Sequence, residues 1–591
     1  MITETLKDLL LSAIKNAQTA GDLPDFEPPT SIAIETPRNK QHGDYSSNIA
    51  LTLKKATGIN DSRQIAQKII QHFPTNPHVN KFELAGPGFL NFYLDPKWLH
   101  DSLLTIEAQD ASYGYTSSDH PEKILVEFVS ANPTGPISVV NGRAAVLGDV
   151  LASLLASQGN SVDKEYYIND ALNSLQLEKF ANSVSIRYQQ YLGHPVIVPP
   201  LDDTDEEKQE QGIPATDPTK NTLHFPKDGY RGEYVKDIAH AIFEEKGDTL
   251  ESASQEEKDA YFRTATLQRM VEAHRGALAS FGIHYQNWFF ESTLYAEHKV
   301  EETIQQLKEL GHAYEQDGAL WLKSSDFGDE KDRVLVRSNE KATYIAADIA
   351  YHMSKFQRGY THLINIWGAD HHGYVARLKA GVEAVGYDRS KLDIILTQMV
   401  SLLRDGEAVI GGKRKGSVIE LKEDLVDDIG SDAARFYFLL NSYETPATVD
   451  VELAKRQTND NPVYYVQYAH ARLSNILRKA TDAGIPLMPA QAVDRTLLID
   501  PNELDVLRKL VDYPGELTSA AKEYAPHRLT RYAMELASLL NGFYENCRVL
   551  SGKDDIVPEP LSQARLALVN GARIVLRNLL NLLAITPVER M

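Results

Sequence analysis

A chain of 591 residues is long enough for several domains, and 42% hydrophobic residues give it ample material for more than one core. Its single cysteine, Cys547, excludes an intramolecular disulfide and suits a reducing cytoplasm; no signal peptide is visible in the opening MITETLKDLLLSAIKNA, and no apolar run is long enough to span a bilayer. A formal net charge of -21 excludes RNA binding by overall attraction, so any such binding has to rely on local basic patches.

In chain order, the opening segment is an amphipathic helix pattern broken by charges. Strands are predicted near residues 31–35 and 81–94, which makes residues 1–118 an α/β unit. Residues 124–129 alternate Ile124, Val126 and Phe128 against Leu125, Glu127 and Val129, the pattern of a strand. After a Pro/Gly turn, Val146, Leu147, Val150, Leu151, Leu154 and Leu155 recur at helical spacing. The first amides of such a helix point outward unpaired, so a phosphate at the Ser138 to Arg143 end is stabilised by backbone alone. Glu127 sits inside an otherwise apolar strand, where an unpaired carboxylate is costly, so it needs a cationic or multiply donating partner.

Residues 202–220, rich in acid and poor in apolar side chains, read as a mobile insertion. Tyr344 and Asp348 lie four apart on one helix face. Residues 363–367 read as a strand ending at Gly368, which puts Asp370, His371 and His372 beside a cleft. On an extended segment His371 and His372 point to opposite faces, so they are not expected to share a metal ion, and no metal site is predicted. Further on, Val466, Ala469, Leu473 and Ile476 form an apolar helix stripe, while Tyr464, Tyr468, Arg472, Asn475 and Lys479 form a second one with rings for stacking and charges for phosphates. Tyr465 reads as core. Helical patterns around 504–511, 529–544 and 564–583 complete an all-α bundle.

The stretch VEFVSANPTGPISVVNGRAAVLGD, residues 126–149, resembles the ATP-site segment of class I arginyl-tRNA synthetases. The likeness continues in order along the whole chain: GDYSSNIAL from Gly43, GPGFLNF from Gly86, EYYINDA from Glu165, GEYVKDIA from Gly232, YIAADIAYH from Tyr344, WGADHHGY from Trp367, DAARFYFL from Asp432, DNPVYYVQYAHAR from Asp460 and the terminal PVERM. So many collinear matches are not expected by chance. The resemblance implies a multidomain α/β protein. An N-terminal tRNA-contacting domain would span 1–118, a Rossmann-like catalytic domain with an insertion around 198–260 would span 119–443, and an all-α anticodon-binding domain would span 444–591.

It also implies roles. Glu127 and Asn132 would hold the ammonium and carboxylate region of arginine, and Tyr344 and Asp348 its guanidinium, which planar bidentate pairing distinguishes from lysine. Pro133, Gly135, Asn141, Gly142, Gly368, Asp370, His371 and Lys413 would surround ATP, with Ser138, Asn141 and Lys413 acting in catalysis. Asn48, Tyr464, Tyr468, Arg472 and Met591 would meet the tRNA. The implied partners are tRNA(Arg), L-arginine and ATP with Mg2+, without a tightly bound cofactor or a membrane, and the implied state is a cytoplasmic monomer.

The chain departs from the family pattern in three places. Where relatives have His, an apolar residue, Gly and then His or Asn, it has Ser138, Val139, Val140 and Asn141; Ser138 carries no positive charge, and Val140 adds bulk where a ligand must approach. Where many relatives have MSKRKG, it has Gly411, Gly412, Lys413, Arg414, Lys415 and Gly416, which keeps the main lysine. Leu172 and Ser174 replace Gly and Gln. These changes define an alternative to the ligase, namely a catalytically impaired paralogue that binds tRNA or arginine. A third reading is a metal-dependent nucleotide hydrolase built on Asp370 to His372.

Overall fold

Leu6, Leu10, Ala13, Ile14 and Ala17, spaced by threes and fours, give helix α1 (Ile2–Thr19) one buried face. The computed structural model describes the chain apart from residues 1, 30–31, 36, 38, 172–173, 200–207, 210–218, 411–417 and 554. The predictions on Leu172, on the loop of Gly411, Gly412 and Lys413, and on most of 202–220 therefore lie outside the described residues.

The N-terminal unit sets α1 and α2 (Ser62–Gln71) against an antiparallel sheet ordered β1-β3-β2, from β1 (Tyr45–Ser47), β2 (Val79–Ala85) and β3 (Phe89–Leu94). Residues 81–94 are thus a hairpin and not one strand, because Gly86-Pro87-Gly88 reverses the chain with positive φ at both glycines. The strand expected at 31–35 reduces to one bridge, Glu35 to Ser46; Pro28, Pro29 and Pro37 deny its flanks ladder donors, and Ser31 is outside the described residues. Helix α3 (Pro96–Gln109), capped by Asp95, leads into the next unit.

There, β4 (Lys123–Phe128) feeds α4 (Val139–Ser157), followed by β5 (Ser161–Ile168), α5 (Leu175–Tyr191), α6 (Glu233–Lys246), α7 (Gln255–Ser280), β6 (Asn287–Phe290), α8 (Tyr344–Gln357), β7 (His362–Gly368) and β8 (Leu392–Thr397). The sheet order is β8-β7-β4-β5-β6, with every pair parallel. The chain winds outward from β4 through β5 to β6, then returns to lay β7 on the other side. The crevice beyond the carboxyl ends of β4 and β7 is the switch point at which such sheets bind ligands. β4 is buried on both faces, as expected of a central parallel strand. Helix α4 corrects one expectation: it is long and apolar enough to cross a bilayer, yet most of its surface is packed inside the protein as a core helix. Helices α5, α6 and α7 share an apolar cluster of their own, including Leu177, Phe180, Val235, Ile242 and Phe262.

Helix α9 (Ser431–Phe438) ends this region, and α10 (Pro462–Asp482), α11 (Pro501–Lys522), α12 (His527–Asn546) and α13 (Glu559–Leu582) form the C-terminal bundle. Val466, Ala469, Leu473 and Ile476 are buried there, as their spacing predicts.

Candidate active site

The crevice has two lobes. The larger, about 1230 Å3, is walled by Ala131, Asn132, Thr134 and Gly135 after β4, by Ser138 at the start of α4, by Gly232 and Tyr234 at the start of α6, and by Asp370 and Glu420. The smaller, about 460 Å3, lies under α8 and is walled by Glu127, Tyr167, Glu291, Tyr344, Asp348 and Tyr374. Val129, Ser130, Val140, Asn141, Gly368 and His371 line both, so the lobes meet there.

The end of β4 shapes this junction. Val129 and Ser130 stand at φ of 70° and 42°, a costly conformation for non-glycine residues and most of all for a β-branched one. The turn brings the Ser130 hydroxyl back to donate to Glu127 Oε1 at 3.0 Å and to accept from the Tyr167 amide at 3.1 Å.

Below the smaller lobe lies a buried polar layer that strand register dictates. Glu165, Glu127 and Asn365 are in register on the neighbouring strands β5, β4 and β7, so two carboxylates stand side by side in the sheet. Helix α8 supplies the compensating cations from one face. Lys355 Nζ lies 2.5 Å from Glu127 Oε2 and 3.3 Å from Asn365 Oδ1, while Arg358 meets Glu165 with both terminal nitrogens, at 2.5 and 3.0 Å. Tyr351 also donates to Glu165, at 2.7 Å. The partner that Glu127 requires is therefore Lys355. Breaking a buried pair of this kind costs about 3–5 kcal/mol because it strands the other charge.

Asp348 and Glu291 differ from these paired acids, since neither makes an ion pair among the described residues. Burial pushes the Asp348 carboxyl up to about 6 despite a hydrogen bond from Tyr374 and with Glu127 adding to the rise; burial likewise raises Glu291 to about 7, opposed by Tyr167 and aided by the charge of Asp348. Tyr344 stands at the mouth of the lobe, two-thirds exposed at 67%. Two acids that resist ionisation, flanked by phenol rings, make a lobe short of one positive charge. A planar cation such as a guanidinium supplies it.

The larger lobe holds the nucleotide-type features, with corrections. The Ser138 side chain is the N-cap of α4: its Oγ donates to Asn141 Oδ1 at 2.7 Å and accepts from the Asn141 amide at 3.3 Å. The Val139 amide goes to the Ile419 carbonyl and that of Gly142 to the Ser138 carbonyl. Only the Val140 amide in this first turn is without a partner among the described residues, so the helix end offers far less open backbone to a phosphate than its sequence suggests. Val140 itself lies at the junction of the lobes.

Asn132 lies in the larger lobe, donating to Gln176, and not beside Glu127, Tyr344 and Asp348. Pro133 and Gly142 line neither lobe; a methyl at Gly142 would run into Leu421, so packing explains that glycine. Gly135, Asn141, Gly368, Asp370 and His371 all line the larger lobe. His371 and His372 sit on a 3-10 turn, residues Ala369–Tyr374, and not on an extended segment. Ser174 caps α5.

Sequence reasoning missed Glu291, Lys355, Glu165 and Arg358. Glu291 follows the apolar strand β6 and resembles an ordinary strand-end residue. Lys355 was legible in the spacing, because it lies on the helix face of Asp348 two turns on, with His352 one turn on between them. The His352 ring accepts at Nε2 from the Asn365 side-chain amide and donates from Nδ1 to the Asp348 carbonyl, each at 2.7 Å.

In the C-terminal bundle, Tyr464 and Tyr468 stack at 5.9 Å between centroids. The Arg472 guanidinium lies 3.1 Å from the centroid of Tyr544 and 5.8 Å from that of Tyr468, so this stripe is a coherent aromatic and cationic surface. Tyr465 packs on the core and accepts from Asn541, as expected of a core residue. Asn48 precedes the short helix Ile49–Thr52 in the N-terminal unit, and Met591 is exposed at 56%.

Comparison with known proteins agrees with this geometry. Residues 4–94 match the family model of the arginyl tRNA synthetase N terminal domain, and residues 466–591 that of the DALR anticodon binding domain. The curated arginine--tRNA ligase of Desulforamulus reducens is 42% identical over 591 residues, covering 100% of this chain and 99% of that one. That of Moorella thermoacetica is 43% identical over 596 residues, with 100% of each covered. Among solved structures, a Campylobacter jejuni protein provisionally assigned as an arginyl-tRNA synthetase superposes with a TM-score of 0.72 at 31% identity, covering 84% of this chain and 100% of that one. The Thermus thermophilus arginyl-tRNA synthetase shares the fold, with a TM-score of 0.72 at 20% identity over 100% of both chains. Full-length identity above 40% to curated relatives, on a parallel sheet whose switch point presents an acidic lobe beside a nucleotide-sized one, settles the family: this chain is an aminoacyl-tRNA ligase of the arginine--tRNA ligase family.

Proposed function

We propose that the two lobes divide the substrates of ATP-dependent arginine activation, with arginine in the smaller lobe and ATP in the larger. The observation that carries this assignment is that Asp348 and Glu291 make no ion pair among the described residues, in a lobe whose other carboxylate, Glu127, already has Lys355. Asp348 and Glu291 pair the guanidinium, Tyr344 covers it, and Glu127 takes the ammonium while remaining bonded to Lys355. The arginine carboxylate then points across Val129 and Ser130 toward the α-phosphate of ATP among Gly135, Asn141, Gly368, Asp370 and His371. The carboxylate attacks in line and pyrophosphate leaves, giving arginyl-adenylate; a hydroxyl of the terminal adenosine of tRNA(Arg) then attacks the arginyl carbonyl, forming the ester as the acyl–phosphate bond breaks and AMP and the hydroxyl proton leave. The protein contributes positioning and charge stabilisation.

Mg2+ would be held mainly by the phosphates of ATP, where it would neutralise their charge. Ser138, Asn141 and Lys413, the last outside the described residues, are the catalytic groups carried over by resemblance; the engagement of Ser138 and Asn141 in the capping box supports a role in holding the helix end. The N-terminal unit with Asn48, and the stripe of Tyr464, Tyr468 and Arg472 with the exposed Met591, form the tRNA surface. We divide the chain at residues 118 and 443, and we expect a cytoplasmic monomer without a membrane partner.

Charging of tRNA(Arg) with labelled arginine tests this reading. The wild-type chain charges, and Asp348→Asn lowers kcat/KM for arginine by about 2–3 kcal/mol, roughly 30- to 150-fold, while its KM for ATP is unchanged. A wild-type chain that binds arginine and tRNA without charging, and gains activity in a Ser138→His, Val140→Gly double variant, would replace the ligase with the impaired paralogue.

A further inference from the structure

The loop that carries the sequence from β4 into α4 has little backbone support of its own. Within residues 131–136, the one backbone hydrogen bond among the described residues is from the Thr134 amide to the Asn132 carbonyl, at 2.8 Å. Side chains from elsewhere supply the rest. Tyr166 of β5 accepts from the Ala131 amide at 3.1 Å, Tyr234 of α6 donates to the Thr134 carbonyl at 2.9 Å, and His274 of α7 donates from Nε2 to the Gly135 carbonyl at 2.7 Å. His274 is 1% exposed, and its Nδ1 lies 2.9 Å from the Tyr166 hydroxyl. The carbonyl on one side fixes the proton on Nε2 and leaves Nδ1 to accept from Tyr166, so one buried imidazole ties both ends of the loop together.

The GEY motif at 232–234 also finds its reason here. Gly232 is the N-cap of α6 without a capping side chain, and a methyl there would run into the Tyr234 ring. The glycine lets that ring fold back over the helix end and reach Thr134. Tyr234 comes from α6 and packs on the apolar cluster shared by α5, α6 and α7, whereas His274 comes from the part of α7 where Val271 and Leu278 join the core of the sheet.

We propose that Tyr234 and His274 are positioning residues for ATP: helices α6 and α7 grip the consecutive carbonyls of Thr134 and Gly135 and so set the wall of the ATP lobe. This rests on the assignment of the larger lobe to ATP.

The test uses the full chain, with KM values from tRNA charging and ATP affinity from calorimetry without arginine. Tyr234→Phe removes one hydroxyl, His274→Leu removes both ring bonds, and His274→Gln keeps a donor near the position of Nε2. Tyr234→Phe is expected to weaken ATP binding about fivefold and His274→Leu about tenfold, with KM for arginine within about twofold of wild type and most of the loss recovered in His274→Gln. Unchanged ATP affinity in both Tyr234→Phe and His274→Leu overturns the proposal. So does an equal rise in both KM values together with a lowered melting temperature, which is the mark of general loosening. A wild-type chain that binds ATP but charges no tRNA defeats the functional reading instead, and leaves the calorimetric comparison to decide this one.

Discussion

With arginine in the smaller lobe, as proposed, Asp348 and Glu291 would set how its binding depends on pH. In an unfolded chain these carboxyls ionise near ~4, whereas in the fold burial raises them to about 6 and about 7. Between those limits the native protein holds more protons than the unfolded one, so the arginine-free protein loses stability as pH rises through the window. A guanidinium keeps its charge throughout and pairs only with the ionised acids. The arginine-bound form therefore gains over the same range, and KM for arginine is expected to fall as pH rises from about 6 to about 8. Glu291→Gln moves this acid limb down toward the value of Asp348 alone, and steady-state kinetics across that range check it. A KM flat with pH would mean that the two acids do not meet the guanidinium. At this scale the sequence was half legible. Tyr344 and Asp348 were reached through the family resemblance, with their spacing of four placing them on one helix face, but Glu291 follows a strand distant in the chain, and nothing local marks it as facing them.

Among the elements, the β4-to-α4 passage shows where local pattern suffices and where it does not. The strand and the helix were both readable, one from apolar alternation and the other from leucines at helical spacing. What the pattern could not show is how the amides at the start of α4 are spent. Asn141, at the third helical position, completes a capping box with Ser138, and the Ile419 carbonyl arrives from a distant segment to take the Val139 amide. Ser138→Ala is accordingly expected to cost about 1 kcal/mol of stability, read from the denaturation midpoint, with a smaller effect on charging than on stability. A large loss of kcat with unchanged stability would instead make the Ser138 hydroxyl a phosphate ligand. The failed strand at 31–35 teaches the converse. Pro28, Pro29 and Pro37 remove backbone donors near that segment, and among the described residues it makes one bridge, Glu35 to Ser46.

Across the whole molecule, the C-terminal bundle and the nucleotide-binding sheet meet at Arg435 of α9, a fully buried guanidinium that no spacing rule singles out. Its Nε donates to the Leu583 carbonyl at the end of α13 at 3.0 Å, one terminal nitrogen to the Phe281 carbonyl at 3.1 Å, and the other to Asp149 of α4 at 2.5 Å. Lys164 of β5 completes the cluster from the far side of Asp149, at 2.8 Å. Close by, Asp432 takes the Thr586 amide at 3.2 Å, while Gln467 of α10 donates to both the Asp432 carboxylate and the Thr586 carbonyl, at 2.8 and 3.0 Å. The terminal segment, the bundle and helix α4 thus share one buried junction. Replacing Arg435 with Met strands two carbonyls and leaves Asp149 with Lys164 alone. The expected cost is about 2–4 kcal/mol, below that of fully orphaning the carboxylate because Lys164 remains. Since α4 opens on the larger lobe, proposed for ATP, the same variant is expected to lower kcat for charging while leaving intact tRNA binding at the stripe of Tyr464, Tyr468 and Arg472 proposed for it. Arg435→Lys, which keeps the ion pair but cannot reach both carbonyls, is expected to fall between. Thermal unfolding and tRNA binding measured on the same preparations decide the matter. A variant that melts earlier and also loses tRNA affinity would place Arg435 in the architecture of the bundle itself, not at its junction with the catalytic helix.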